Sequence, residues 1–155
     1  MKLRGGSLLK DINDRMVHKV ACMNNPSNSS CASLNNLKYY VYSAHDITVD
    51  ALLATFGDKE EVVGSGLPRY AASIVLELWN TSTGPQVKIQ YHPSFNVSYF
   101  PITNLTCGCN TTTDYCKLDT FVSPSATITT WFTFTTQIMF SAIVLLFTAV
   151  NRHGH

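Results

Sequence analysis

The five residues from Tyr42 to Asp46 (YSAHD) place a histidine and an aspartate between a predicted strand and a predicted helix. At the carboxyl ends of strands in open α/β sheets, helix N-termini present free N–H groups that favour an anion such as phosphate. His45 can donate hydrogen bonds to phosphate oxygens, and Asp46 is a candidate general acid for an oxygen leaving group. The alternative is that Asp46, or Thr48, only caps the helix and that His45 is a core histidine. The residue types alone leave both interpretations open.

Periodic apolar residues predict the elements that would position this pair. The β-branched and aromatic run Lys38–Ser43 predicts a strand. A helix that ends near Gly57 is predicted by residues spaced i, i+3, i+4 and i+7, namely Val49, Leu52, Leu53 and Phe56. An earlier helix, with Ser7 as its cap, is predicted by Leu8, Leu9, Ile12, Met16 and Val20. Helix, strand and helix in this order predict a βα unit of an α/β sheet.

A second β region follows the predicted βα unit. Ser73–Trp79 and Gln86–Tyr91 are separated by a loop with turn residues, and the second segment alternates apolar and polar side chains. This pattern predicts an antiparallel hairpin at a sheet edge. We also expect a short strand at Phe95–Phe100 and one or two helical turns at Lys117–Val122.

The composition limits the classes of protein to which the chain can belong. Its 155 residues include 11 Lys and Arg against 10 Asp and Glu, a formal charge of +1, which argues against a nucleic-acid partner. Hydrophobic residues make up 45% of the chain, so disorder throughout is not expected. Only 14% of residues are charged, because none between Ser123 and Asn151 is. The composition therefore predicts a globular part followed by an apolar tail.

Cysteines and glycosylation sequons point to the secretory pathway. Cys22 and Cys31 can close a local loop, whereas Cys116 can pair with Cys107 or with Cys109, which leaves one thiol over. The zinc alternative for the second group lacks both a fourth ligand and the usual spacing, so we expect no metal. Five predicted glycosylation sites lie in predicted loops, at Asn28, Asn80, Asn96, Asn104 and Asn110.

The two ends of the chain bear on its location. Charged residues interrupt the apolar residues of the first sixteen positions, so no signal peptide is recognisable and we expect a longer parent protein. Trp131–Val150 is uncharged over twenty residues, which at about 1.5 Å each would cross a hydrocarbon core of about 30 Å. A transmembrane helix with Arg152 on the cytosolic side, a lipid-anchor signal and a buried core helix remain open as interpretations.

A series of segments resembles the histidine acid phosphatases, branch two of the histidine phosphatase superfamily. The segment YSAHDIT (42–48) resembles the family's His-Asp motif, and the residues before it, LRGG (3–6), resemble the segment that precedes that motif. After the motif, LPRYA (67–71) and LELW (76–79) resemble the family's following strand. The cysteine-bearing region 107–121 resembles the segment before the family's C-terminus. The resemblance covers roughly residues 3–122, and membrane-anchored members also have an apolar C-terminal segment.

The resemblance implies a fold, a reaction and roles for two residues. The fold would be α/β, namely the C-terminal part of a mixed sheet flanked by helices, followed by an apolar C-terminal helix. His45 would bind the phosphoryl group and Asp46 would protonate the leaving oxygen of a phosphate monoester, without metal or cofactor. The implied organisation is a partial phosphatase domain (1–122), a Ser/Thr/Pro linker (123–130), a transmembrane helix or lipid-anchor signal (131–150) and a short tail (151–155).

One family motif has no counterpart in this sequence. The nucleophilic histidine of the family lies in an Arg-His-Gly-x-Arg-x-Pro motif. Arg152-His153-Gly154 matches only the first three residues of that motif, and it follows the apolar tail instead of a strand. We therefore expect the C-terminal part of a secretory, membrane-attached acid phosphatase that is inactive alone, with its globular part on the luminal or extracellular side of the cell surface or lysosomal membrane. This hypothesis also allows a second copy of the protein as a partner, in a homodimer. The alternatives are a non-catalytic glycoprotein that retains the scaffold for binding, and a gene model without its first exons.

Overall fold

The computed structural model of the chain describes residues 2–109, 112–123 and 146–151. Its helices are α1 (Lys2–Asn24), α2 (Ala32–Asn35), α3 (Asp46–Phe56), α4 (Lys59–Val62) and α5 (Leu118–Val122), with 3-10 turns at Ser29–Cys31 and Thr103–Leu105. Its strands are β1 (Ser73–Thr81), β2 (Gly84–His92), β3 (Phe100–Pro101), β4 (Cys116–Lys117) and β5 (Leu146–Asn151). The fold is mixed α/β, which confirms the predicted class.

The centre of the sheet is the antiparallel hairpin of β1 and β2. Thr81 pairs with Gly84, so Ser82 and Thr83 form a two-residue loop. Gly84 has a φ of 105°, a left-handed conformation that glycine adopts without strain. The strands β3 and β4 both pair antiparallel with β2, at its two ends. The predicted hairpin is confirmed, but its predicted place at a sheet edge is wrong, because β3 and β4 pair with β2 and β5 pairs with β1. The strand expected over Phe95–Phe100 is reduced to β3.

Helices α1 and α3 pack together above one face of this hairpin. Alternate residues of each strand face them, because successive strand side chains point to opposite sides of a sheet. Together with the helices they form one apolar core, to which the hairpin contributes Ile74, Leu76, Leu78, Val87, Ile89 and Tyr91. Helix α5 completes the core, and its Phe121 ring lies 6.0 Å from that of Phe56 in α3. The predicted helical turn near residue 118 is therefore confirmed.

Helix α1 begins earlier than its sequence predicted. Ser7 lies inside the helix instead of capping it. The reason is tertiary: a Cβ on Gly5 would lie 2.2 Å from the carbonyl oxygen of Ala51, so only glycine lets α1 lie this close to α3. Helix α3 ends as predicted, with Gly57 at a φ of 91° and its N–H bonded to the oxygen of Leu53 at 3.0 Å.

The predicted strand Lys38–Ser43 is wrong. The segment is neither strand nor helix, although its side chains alternate as a strand would require. Tyr40 and Tyr42 are half-buried, whereas Tyr39 and Val41 are exposed. A strand also needs a partner for its backbone groups, and no strand in the described ranges pairs with this segment. Of the βα unit expected here, only the helix, α3, is consequently formed.

The apolar C-terminal segment differs from expectation where it is described. Leu146–Asn151 forms β5, parallel to β1, so the helix predicted over 131–150 is wrong at its end. The physical reason is that the outer edge of β1 offers unpaired N–H and C=O groups to an extended apolar segment. The described residues do not include 124–145 and 152–155. These ranges contain most of the predicted linker, the rest of the predicted helix and Arg152-His153-Gly154. No helix among residues 2–109, 112–123 and 146–151 combines the length and apolarity that crossing a membrane requires.

Two disulfides decide between the pairings that the sequence left open. Cys22 bonds to Cys31, and Cys116 bonds to Cys109 across a Cα–Cα distance of 5.3 Å. Cys107 is the free thiol. Its backbone N–H donates to the oxygen of Phe56 at 2.7 Å, which holds Cys107 against the end of α3 and away from Cys116.

Candidate active site

The pair singled out by the sequence lies at the N-terminus of α3. His45 is the N-cap residue, with an extended backbone (φ −90°, ψ 164°), and Asp46 is the first helical residue. The carbonyl oxygen of His45 accepts the N–H groups of Thr48 at 2.9 Å and Val49 at 3.3 Å. Because helix dipoles add to a partial positive charge at this end, the position favours an anionic ligand.

His45 has a buried ring nitrogen without a hydrogen-bond partner. Its side chain is half-buried, and Nε2 has no partner within the described part of the chain. Leaving a buried polar atom unpaired costs about 1–3 kcal/mol. A ligand, or a group of another segment, can therefore bind this nitrogen without breaking a hydrogen bond that the nitrogen makes within the described part of the chain.

Asp46 has one bond to the helix. Its Oδ1 accepts the N–H of Ile47 at 2.7 Å, and the side chain is half-buried. The capping alternative is thus correct in part, because this carboxylate bonds an amide of the first turn, although the N-cap residue itself is His45 and makes no side-chain cap bond. The structure thus brings His45 and Asp46 to one helix terminus, while their roles stay predictions.

A second cluster, which sequence reasoning missed, fixes the segment that precedes His45. The Nε of Arg15 donates to Asp11 Oδ2 at 2.8 Å and to the hydroxyl oxygen of Tyr42 at 2.7 Å, and the Tyr42 hydroxyl donates to Asp11. The Arg15 guanidinium also lies 3.9 Å from the ring centre of Tyr40. The hydrogen bond from Tyr42, with that from Arg15, lowers the pKa of Asp11. This cluster joins α1 to the chain three residues before His45, and the available signal was the i, i+4 spacing of Asp11 and Arg15.

A buried ion pair joins the middle of α3 to α4. Lys59 Nζ lies 3.2 Å from Asp50 Oδ1, with the Asp50 side chain 1% exposed. The same ammonium donates to the carbonyl oxygens of Gly64 and Gly66, both at 3.2 Å. Lys59 therefore joins α3, α4 and the following loop, and removing it would leave a buried carboxylate uncompensated.

The predicted glycosylation sites lie on the surface where they are described. The side chains of Asn28, Asn80, Asn96 and Asn104 are exposed, and Asn110 lies outside the described residues. Exposure is what a glycan requires, but it does not test whether one is present. Glycosylation accordingly stays a prediction.

Comparison with known proteins gives one family and several relatives. The family model described as the histidine phosphatase superfamily (branch 2) matches residues 1–92, which include His45 and Asp46. Three similar proteins of Caenorhabditis elegans, each named "Putative acid phosphatase", are 34%, 32% and 33% identical to this chain over 121, 124 and 113 residues. These matches cover 77%, 77% and 70% of this chain.

The matched region is a minor part of each relative. It spans 28%, 29% and 27% of their lengths, so the chain covers less than a third of the curated relatives that it matches. No solved structure gives a significant match.

Proposed function

The chain belongs to the histidine phosphatase superfamily (branch 2), and on this premise we propose that it is the C-terminal part of an acid phosphatase that hydrolyses phosphate monoesters. The relatives are named as acid phosphatases and are more than three times as long as the region matched. The complete protein would include the nucleophilic histidine, which this chain does not supply. On this proposal the 155 residues alone are inactive.

The observation that supports the proposal best is the buried Nε2 of His45 at the N-terminus of α3, which has no hydrogen-bond partner among the residues that the structure describes. A phosphoryl group carries negative charge on several oxygens, and its transfer is favoured by fixed donors in a site sheltered from water. A protonated Nε2 donates to one phosphoryl oxygen without giving up an existing bond. The dipole of α3 acts in the same direction.

Asp46 supplies the second function that phosphate ester cleavage needs. The departing alkoxide is a strong base, so a carboxylic acid that protonates it lowers the barrier. Asp46 directly follows His45 and is half-buried, so both groups can act on one ester from the same helix terminus. The cluster of Asp11, Arg15 and Tyr42 would keep this terminus in place. No step of this scheme uses a metal or a cofactor.

The proposed setting is the secretory pathway, with the globular part on the luminal or extracellular side of a membrane. Two disulfides are favoured by an oxidising compartment, and the described sequon asparagines are exposed. Membrane attachment is proposed for the uncharged residues before β5, 131–145, on their composition alone. The proposal also includes a homodimer as the assembly of the complete protein.

The proposal is tested with the full-length protein and two substrates that differ in leaving group. Asp46→Asn is compared with the wild type on an alkyl phosphate, which needs a proton for its leaving oxygen, and on p-nitrophenyl phosphate, which needs it much less. We expect kcat/KM to fall about 10²- to 10⁴-fold on the alkyl ester and far less on the nitrophenyl ester. His45→Ala should lower both to similar extents, because it removes a phosphoryl contact.

The matched control is Asp14→Asn, which removes an aspartate of α1 that is 63% exposed and should change neither rate. Equal losses on both esters for Asp46→Asn would contradict its role as the proton donor. A full-length protein without phosphatase activity would instead favour the non-catalytic glycoprotein.

A further inference from the structure

A histidine and the two cysteines of the first disulfide meet at the C-terminal part of α1. His18 and Cys22 are four residues apart on α1, so they lie on the same helix face. Cys31 faces them from the 3-10 turn Ser29–Cys31. One ligand atom from each of the three residues lies within 4.8 Å of the others.

We propose that, when Cys22 and Cys31 are reduced, His18, Cys22 and Cys31 bind a thiophilic divalent cation such as Zn²⁺, with water as the fourth ligand. Two thiolates and an imidazole are a donor set that zinc accepts in proteins, and three protein ligands leave one position for water. His18 is exposed, whereas Cys22 and Cys31 are 1% and 2% exposed. Water can therefore reach the cation from the side of His18.

The distances suit a tetrahedral site. With Zn–S bonds of about 2.3 Å, two thiolates on one zinc ion lie about 3.7 Å apart. The Cα atoms of Cys22 and Cys31 are 5.4 Å apart. Rotation of the two cysteine side chains can therefore bring both sulfur atoms to the separation that zinc requires without moving α1.

Bonds that do not involve the disulfide hold Cys31 opposite α1. Lys19 Nζ donates to the carbonyl oxygens of Leu34 at 2.5 Å and Asn35 at 3.2 Å. The Asn35 amide in turn donates to the oxygen of Pro26 at 3.0 Å. Asn28 Oδ1 accepts the N–H of Ser30 at 3.0 Å and so caps the turn. These contacts keep the three ligands near each other after the S–S bond is broken.

The two states of the site exclude each other. A phosphine reductant supplies two electrons to the S–S bond, takes the oxygen of one water as phosphine oxide, and leaves the two protons of that water on the two thiols. Zn²⁺ then displaces one proton from each thiol, so two protons are released and the cation with its two thiolates is neutral. The cation thereby blocks reoxidation to the disulfide.

The test is site-resolved alkylation of the reduced full-length protein, with and without Zn²⁺, read out by peptide mass spectrometry. We expect Zn²⁺ to slow alkylation of Cys22 and Cys31 at least about tenfold, and His18→Ala to remove most of that protection. His92→Ala, a histidine that stacks on Tyr99, is the matched control and should leave the protection intact. Cys107, Cys109 and Cys116 lie on a different peptide from Cys22 and Cys31, and their alkylation rates should not depend on His18.

Two results would overturn the proposal. One is equal protection in the wild type and in His18→Ala, which would mean that two thiols alone bind the cation. The other is the absence of protection in the wild type, including the case in which circular dichroism shows that the reduced protein unfolds and Zn²⁺ does not restore it. Replacing Zn²⁺ by Co²⁺ gives a second readout, because a thiolate-to-cobalt charge-transfer band that weakens in His18→Ala is expected only if all three residues are ligands.

Discussion

Asp58 is a buried carboxyl group that makes the stability of the fold depend on pH. It follows the left-handed Gly57 at the end of α3 and is 2% exposed. Its Oδ2 accepts the Thr106 hydroxyl at 3.5 Å, and Oδ1 has no partner among the described residues. Burial, with a smaller contribution from the negative charge of Glu61, raises the pKa of Asp58 from 3.8 to about 7, although the Thr106 hydrogen bond acts in the opposite direction.

The sign and size of the effect follow from these two pKa values. The pKa is higher in the folded state than in the unfolded state, so the folded state binds the proton more tightly. The stabilisation of the fold by protonated Asp58 is fully present below pH 3.8 and is lost as the pH rises to about 7. At 1.36 kcal/mol per pH unit, the difference between 3.8 and about 7 corresponds to about 4 kcal/mol of unfolding free energy.

Asp58→Asn tests this, because the amide imitates the protonated carboxyl and cannot ionise. We expect the variant to differ little from the wild type at pH 4 and to be more stable at pH 8, by up to about 4 kcal/mol. Urea unfolding followed by circular dichroism at pH 4, 5, 6, 7 and 8 measures the difference. The control is Asp14→Asn, whose exposed side chain should give a difference that stays the same across this range.

The reasoning is refuted if the difference between Asp58→Asn and the wild type is the same at pH 4 and pH 8. That result would mean that Asp58 has the same pKa in the folded and unfolded states and that its burial is relieved by water. Confirmation would show that protonation of Asp58 stabilises the fold in acid.

Two further substitutions test the packing around the site. Gly5→Ala should destabilise the protein by about 1–3 kcal/mol, because its Cβ would lie 2.2 Å from the Ala51 oxygen and force α1 away from α3. Urea unfolding measures the loss, and a variant as stable as the wild type would contradict the close contact. Thr103→Val should cost about 1–3 kcal/mol in the same assay, because it removes the hydroxyl that accepts the Ile89 N–H at 2.8 Å in the core. Thr120→Val, at an exposed position outside every sequon, should be neutral, and equal losses for the two valine variants would exclude the lost bond as the cause.

Several local elements were predictable because their determinants lie close together in the chain. The spacing of Val49, Leu52, Leu53 and Phe56 with Gly57 predicted α3 and its end. Two apolar segments separated by a loop with turn residues, the second of them alternating apolar and polar side chains, predicted the hairpin of β1 and β2. The position of His45 and Asp46 at the start of α3 followed from the same local pattern. Cys22 and Cys31 are close enough in sequence to pair across their own loop.

Other features depend on contacts between distant segments, which no local pattern encodes. The alternation of Lys38–Ser43 is that of a strand, but a strand forms only beside a partner. The choice of Cys109 over Cys107 depends on the bond that holds Cys107 to Phe56. The early start of α1 depends on the space that Gly5 leaves beside α3.

The sequence by itself determined the family, the helix that begins with the His-Asp pair and the hairpin that supports it, because helical period, strand alternation and turn residues act over a few positions. Only the tertiary structure decided that the His45 Nε2 is buried without a hydrogen-bond partner in the described ranges, that Arg15 joins α1 to Tyr42, and that His18 meets the two cysteines. Burial and hydrogen-bond partners are properties of the packed chain, since water is excluded only when segments far apart in sequence come together.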